Sequence, residues 1–196
     1  MVILTSCGLQ IKEKCGDLLK LVNKRKVFIM INAVDNALKP QLTTSIENNI
    51  KDIASRIDCG ELTAENISKY IDYYDCIYLA GGNIKKLSEM INHKEIKDGL
   101  LYFIDKGKTL ITEDTSTLLA VDNLKYLNQI TNSLDEEDKF YKDIDYSSLN
   151  NLSLTKEKII VHADKIKPHF QGACRLVERQ NRLSIRFLKD GEILVL

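Results

Sequence analysis

The sequence predicts an α/β fold: a three-layer α/β/α sandwich around a mainly parallel, doubly wound sheet. Two observations carry this. Short apolar runs alternate along the chain with segments of helical period. The runs themselves, such as "VFIMINA" and "CIYLA", are continuous rather than alternating, as in strands buried on both faces. With 196 residues the chain can fill one core, and a single domain over 1–196 is expected.

The elements follow in order. "VILT" (2–5) reads as a short strand, and residues 10–23 as a helix with Leu9, Leu18, Leu19 and Val22 near one face. "KVFIMINA" (26–33) is the next strand. Pro40 opens a helix in which Ile46, Ile50, Ile53 and Ile57 recur at helical steps. A short helix over 64–73 leads to the strand "CIYLA" (76–80), which ends at Gly81-Gly82. Helices over 84–92 and 94–106 follow, with Gly107 placed to end the second. "TLIT" (109–112) is another strand. After residue 123 the rhythm breaks. Residues 134–145, with six acidic and two basic side chains, read as an exposed loop or short helix. "KIIVHA" (158–163) resumes the sheet, and "LSIRF" and "EILVL" flank the Asp190-Gly191 turn of an expected hairpin.

Composition narrows the function. The 28 basic and 28 acidic residues balance, so no long-range field attracts nucleic acid or an anionic membrane. The apolar runs are too short to span a bilayer. Five cysteines, Cys7, Cys15, Cys59, Cys76 and Cys174, show no paired metal-ligand spacing. Reduced thiols in a cytoplasm are expected, with no metal and no cofactor. The opening "MVILTSCG" has no charged leader, consistent with that location.

Ligands of open α/β sheets gather at the carboxyl ends of the strands, and three segments qualify. In "CIYLAGGNIKKL", Gly81 and Gly82 could turn backbone N–H groups toward an oxyanion, or simply make a tight turn with Asn83 as helix N-cap. In "GKTLITEDTSTLLA" a strand runs into a helix at Glu113-Asp114. Asp114 suits either a sharp corner or an N-cap. In "KIKPHFQG", His169 follows a proline on an extended segment. His93 and His162 attract no role, the latter read as inside a strand.

Together these segments resemble peptidase E, the aspartyl dipeptidases related to cyanophycinase. "CIYLAGGN" is similar to that family's strand and Gly-Gly-Asn turn, and "IKPHF" to its Ile-Asn-Pro-His-Phe segment. The resemblance implies a fold like the class I glutamine amidotransferases and a serine on a strand-helix elbow in Gly-x-Ser-Ala-Gly-Ala. That motif falls on "GKTLITEDTST", with Asp114 at the serine and Thr115, Ser116 and Thr117 over Ala-Gly-Ala. It also implies His169 as the catalytic histidine and Gly81, Gly82, Asn83 and Thr115 around the oxyanion. The acidic partner of the histidine is not placed. Two readings follow. One is a relative without the serine nucleophile that keeps a pocket for a small-molecule or dipeptide-like ligand. The other is an active hydrolase through Ser116 with His169, or through carboxylate chemistry at Asp114. Neither nucleic acid nor membrane is an expected partner, and assembly into a homo-oligomer is left open.

Overall fold

The computed structural model describes residues 1–134 and 144–196. The strands are β1 (Val2–Thr5), β2 (Lys26–Met30), β3 (Arg56–Gly60), β4 (Cys76–Leu79), β5 (Thr109–Glu113), β6 (Lys158–Ile160), β7 (Ile185–Phe187) and β8 (Ile193–Val195). The α-helices are α1 (Gly16–Val22), α2 (Lys39–Ile50), α3 (Ile67–Tyr73), α4 (Ile84–Asn92), α5 (Lys94–Asp105), α6 (Thr115–Leu118), α7 (Lys125–Asn132) and α8 (Pro168–Asn181).

Six strands form one sheet in the order β3-β2-β4-β5-β1-β8, parallel except for β8, which runs antiparallel to β1. The continuous apolar runs explain the layering. Successive side chains point to opposite faces, so each central strand feeds two cores. Leu4, Met30, Leu79 and Leu110 join one core with Ile67 of α3, Leu87 of α4 and Phe103 of α5. Ile3, Ile29, Tyr78 and Ile111 join the other with Val22 of α1 and Ile46 of α2. Each such fully buried aliphatic side chain contributes about 1.5–3 kcal/mol. The result is the α/β sandwich expected from the runs.

Four local expectations are corrected. The helix starting at Pro40 ends at Ile50, and Ile57 belongs to the parallel edge strand β3. This strand is only half buried and begins with exposed Arg56, so it lacks the apolar run that marks its neighbours. The strand after 158 does not resume the main sheet; β6 pairs with β7 in a separate two-stranded parallel sheet. The Asp190-Gly191 turn therefore joins no hairpin pair, because β7 and β8 lie in different sheets. Finally, the segment around His169 is helical. Pro168 sits in the first turn of α8, where its missing N–H removes no helical hydrogen bond. The expectation for the acidic stretch falls on residues 135–143, outside the described residues.

No helix among the described residues is long and apolar enough to cross a membrane.

Candidate active site

The carboxyl end of β5 turns sharply into α6 at Asp114. Its backbone adopts φ 50° and ψ −118°. For a residue with a side chain this sparsely populated conformation costs about 1–3 kcal/mol and persists only where the surroundings enforce it. The surroundings are a buried hydroxyl network. Thr5 Oγ1 donates to Thr112 O, and Thr117 Oγ1 donates to Thr5 O and lies 2.7 Å from Thr112 Oγ1. The backbone N–H of Asp114 donates to Thr5 O, tying the corner to β1.

The side chain of Asp114 makes no capping bond to α6. It reaches instead toward His162, whose Nε2 lies 3.4 Å from Asp114 Oδ1. The other ring nitrogen, Nδ1, lies 2.6 Å from Asp190 Oδ1. His162 is thus held between two carboxylates. It stands just beyond β6, with φ 54°, in a bend that swings the ring back to the corner. The Asp114 interaction is the main reason its pKa is raised from the ordinary histidine value; partial burial opposes it and Asp190 adds to it.

Asp190 is fully buried at its side chain and densely bonded. Ser6 Oγ donates to its Oδ1 at 2.8 Å, and Lys165 Nζ lies 2.6 Å and Lys14 Nζ 3.3 Å from its Oδ2. Burial alone would raise its pKa. The hydrogen bonds from Lys165, Ser6 and His162 outweigh that and hold it well below the usual carboxylate range. Ser6 Oγ also accepts from the backbone N–H of His162 at 2.7 Å, so β1, β6 and the turn before β8 are fastened at one point.

The glycine turn closes the site from β4. Gly82 has φ 140°, and a Cβ there would lie 2.4 Å from the Ala33 carbonyl oxygen, so only glycine fits. The Gly82 N–H donates to Thr115 Oγ1 at 2.9 Å, and the Thr115 hydroxyl donates back to Gly82 O at 3.0 Å. Gly81 packs against Asp114; an added Cβ would approach Asp114 Oδ2 to 3.0 Å. Asn83 caps α4, its Oδ1 accepting from the N–H groups of Lys85 and Lys86.

Ser116 is buried beneath the corner. Its hydroxyl lies within donor distance of Leu79 O (2.7 Å) and Glu113 O (2.8 Å) and accepts from Glu113 N at 2.8 Å. That is a fastening for the elbow, with the hydroxyl engaged by three backbone groups. The histidine expected at the corner is His169, but the one that stands there is His162; His169 is exposed in the first turn of α8. The extended segment read around His169 hid this, as did reading "KIIVHA" as strand throughout. The strand stops at Ile160, so His162 lies past its carboxyl end, where sheet ligands gather. Asp190 left no local signal: its bond to Ser6 spans 184 residues.

Behind the corner lies Glu113, 1% exposed. It accepts from Gln10 Nε2, and its Oε2 has no hydrogen-bond partner among the described residues. Burial, assisted by the nearby charge of Asp114, pushes its pKa up to about 8 against the opposing hydrogen bond from Tyr78. In front of the corner, Asp114 opens onto a small cavity of about 40 Å³ walled by Leu118, Leu127, Tyr146, Ile160, Ile166 and Phe170. That volume is enough to admit a small ligand group, since roughly 10–15 Å³ already holds one water. Among the described residues no group of three His, Cys, Asp or Glu could hold a metal ion.

Comparison with known proteins shows the family of the chain and the likeness of its fold. A search of curated proteins returned no match to the sequence. Among solved structures, the chain is similar to a protein assigned to peptidase E from Listeria monocytogenes EGD-e. The TM-score is 0.67 at 17% identity, with 100% of this chain and 93% of that one covered. It is also similar to a peptidase from an acI-B1 Actinobacterium, at a TM-score of 0.56 and 11% identity, covering 88% of this chain and 73% of that one. At such identities the likeness is one of fold. The family model described as Peptidase family S51 matches residues 18–196, which includes the glycine turn, the strained corner, His162 and Asp190. The chain therefore belongs to peptidase family S51.

Proposed function

We propose that this family S51 protein has given up serine-peptidase chemistry and uses the pocket at the Asp114 corner for a small, mainly apolar ligand. The observation that carries the reading is the pairing of Gly82 N–H with the Thr115 hydroxyl beside a carboxylate at the corner. Acyl transfer by a serine enzyme needs a hydroxyl that surrenders its proton to a base and N–H groups free to receive the oxyanion. On this reading Asp114 stands where the family serine would stand, and the glycine-turn donor is already engaged. A carboxylate attacking an amide would form an anhydride and set its own charge beside the developing oxyanion.

Ser116 does not rescue the peptidase reading. The hydrogen-bond partners of this buried hydroxyl among the described residues are the Leu79 and Glu113 carbonyls and the Glu113 N–H, with no imidazole among them. The apolar walls and small volume of the cavity also argue against a dipeptide, whose charged termini call for polar partners. The retained strain at Asp114 and the His162–Asp190 pair favour a site kept in working shape.

The test is direct. Purified protein is incubated with Asp-Leu and, separately, with a serine-directed fluorophosphonate. Neither turnover nor labelling is expected. Turnover of about 1 per second or faster, or fluorophosphonate labelling of the native protein, overturns the reading.

A further inference from the structure

We propose that Asp114 is a carboxylate nucleophile toward small primary alkyl electrophiles, and that His162, oriented by Asp190, hydrolyses the resulting ester. The proposal rests on the reading above, that the corner holds a carboxylate in place of the serine, and it names the substrate class of that site.

The argument starts from what the corner lacks and what it keeps. It lacks a free hydroxyl and a free glycine-turn N–H, both of which acyl transfer requires. The alkylation step requires neither, because no oxyanion forms at a saturated carbon; in the hydrolysis step the oxyanion forms on Asp114 itself, facing His162 Nε2. Alkylation requires an ionised oxygen nucleophile, an approach path to carbon and walls that exclude water. Asp114 lines the cavity, and its side chain remains 29% accessible. Leu118, Ile160, Ile166 and Phe170 supply walls that would desolvate both the carboxylate and an alkyl chain. The volume of about 40 Å³ favours a short alkyl chain.

The first step forms the bond between an Asp114 oxygen and the substrate carbon while the carbon–halogen bond breaks, and the electron pair leaves with the halide. The product is an alkyl ester on Asp114. The second step needs a base on the far side of the carboxyl group. His162 Nε2 is 3.4 Å from Asp114 Oδ1, close to where a water would approach the ester carbon. The water adds to that carbon as one proton passes to Nε2, and the imidazolium so formed faces the tetrahedral oxyanion. Collapse expels the alkoxide, which takes the proton of the added hydroxyl, so the alcohol leaves and the carboxylate is restored. The proton then leaves His162 for solvent. Overall, alkyl halide and water become alcohol, halide and a proton.

The two steps are coupled by charge. With Asp114 ionised, His162 lies between two carboxylates and favours its protonated form. Alkylation erases the charge on Asp114, so the imidazole loses one reason to hold its proton at the moment a neutral base is required. Asp190, fully buried and bonded to Ser6 and Lys165, keeps the ring in place through both steps.

The experiment uses n-propyl bromide as the probe, with intact-mass and peptide mapping of the full chain. In His162→Gln, a propyl group should accumulate on the peptide carrying Asp114. In Asp114→Asn, neither adduct nor bromide release should appear. Because His162→Gln could fold poorly, a second measurement uses the native protein. Single turnover in heavy-oxygen water should place the label in the Asp114 carboxylate and leave the first-turnover propanol unlabelled. A propyl group found only on cysteines, label found only in the alcohol, or bromide release equal in native protein and Asp114→Asn would overturn the proposal. Those outcomes leave the loss of peptidase chemistry standing, which fails separately if the native protein takes the fluorophosphonate.

Discussion

His162 Nδ1 and Asp190 Oδ1 meet at 2.6 Å, and the carboxylate in that pair is fully buried. The contact joins a bend after β6 to a turn before β8, two elements that lie in different sheets. It sets the ring plane and so decides which nitrogen faces Asp114. Replacing Asp190 by Ala should leave Lys165 and His162 without their shared counter-charge. The cations left behind are partly exposed and solvent screens them, so the cost should be smaller than for a fully buried pair. The midpoint of urea unfolding should fall accordingly, and the His162 pKa, followed by NMR, should drop. An unchanged His162 titration would show that Asp190 does not govern the ring.

Glu113 makes stability depend on pH in a definite direction. Its folded pKa of about 8 lies above the ordinary glutamate value of 4.5, so the folded state binds the extra proton between them. The contribution is fully present below the unfolded value and is lost as pH rises toward 8. The slope from this group approaches about 1.4 kcal/mol per pH unit within that window. His162, also raised, adds a loss of the same sign as pH climbs through its folded pKa. Comparing native protein with Glu113→Gln isolates the glutamate. The variant should lose less stability between mildly acidic and mildly alkaline buffer. Parallel curves would mean that Glu113 does not take up a proton on folding.

The role assigned to Ser116 separates fastening from chemistry. Ser116→Ala leaves the Glu113 N–H without its acceptor and removes the donor to Leu79 O and Glu113 O. A buried polar group left unsatisfied costs about 1–3 kcal/mol, which thermal or urea unfolding would register. Any activity measured at the corner should survive in the variant at temperatures where it stays folded. Loss of activity with unaltered stability would return Ser116 to the list of nucleophiles.

On the proposal that Asp114 occupies the serine position, supplying a hydroxyl there tests whether peptidase machinery surrounds it. Asp114→Ser alone should label weakly or not at all with a fluorophosphonate, because Thr115 still holds Gly82 N–H. Asp114→Ser with Thr115→Ala frees that donor and puts a hydroxyl near His162, so labelling should rise. Equal labelling of the single and double variants would show that the Thr115–Gly82 pair is no obstacle.

The turn itself should tolerate no change. Gly82→Ala would bring a methyl group to 2.4 Å from the Ala33 carbonyl oxygen at φ 140°. Backbone cannot yield as a flexible side chain can. Soluble expression should fall sharply, whereas Gly107→Ala, with open space around its Cβ position and a strained φ of 75°, should fold with only a moderate loss of stability.

The sequence by itself determined the sandwich and the location of the corner. Buried parallel strands must be apolar on both faces, so "VFIMI", "CIYL" and "TLIT" announce themselves without any knowledge of their neighbours. Gly81-Gly82 and Asp114 were legible for the same reason, since local backbone demands and the carboxyl ends of strands are properties of adjacent residues. The half-buried edge strand β3 was not legible, because one exposed side dilutes its pattern into that of the preceding helix. Only the tertiary structure decided which histidine faces the corner. In the sequence His162 reads as part of a strand and His169 as part of an extended segment after a proline. The choice rests on where β6 stops, on a bend at φ 54°, and on Ser6 and Asp190 drawn in from opposite ends of the chain. It likewise decided that Thr115 engages Gly82 and that Ser116 faces inward. Hydrogen bonds of a side chain are settled by whatever groups packing brings within about 3 Å, and sequence distance carries no information about that.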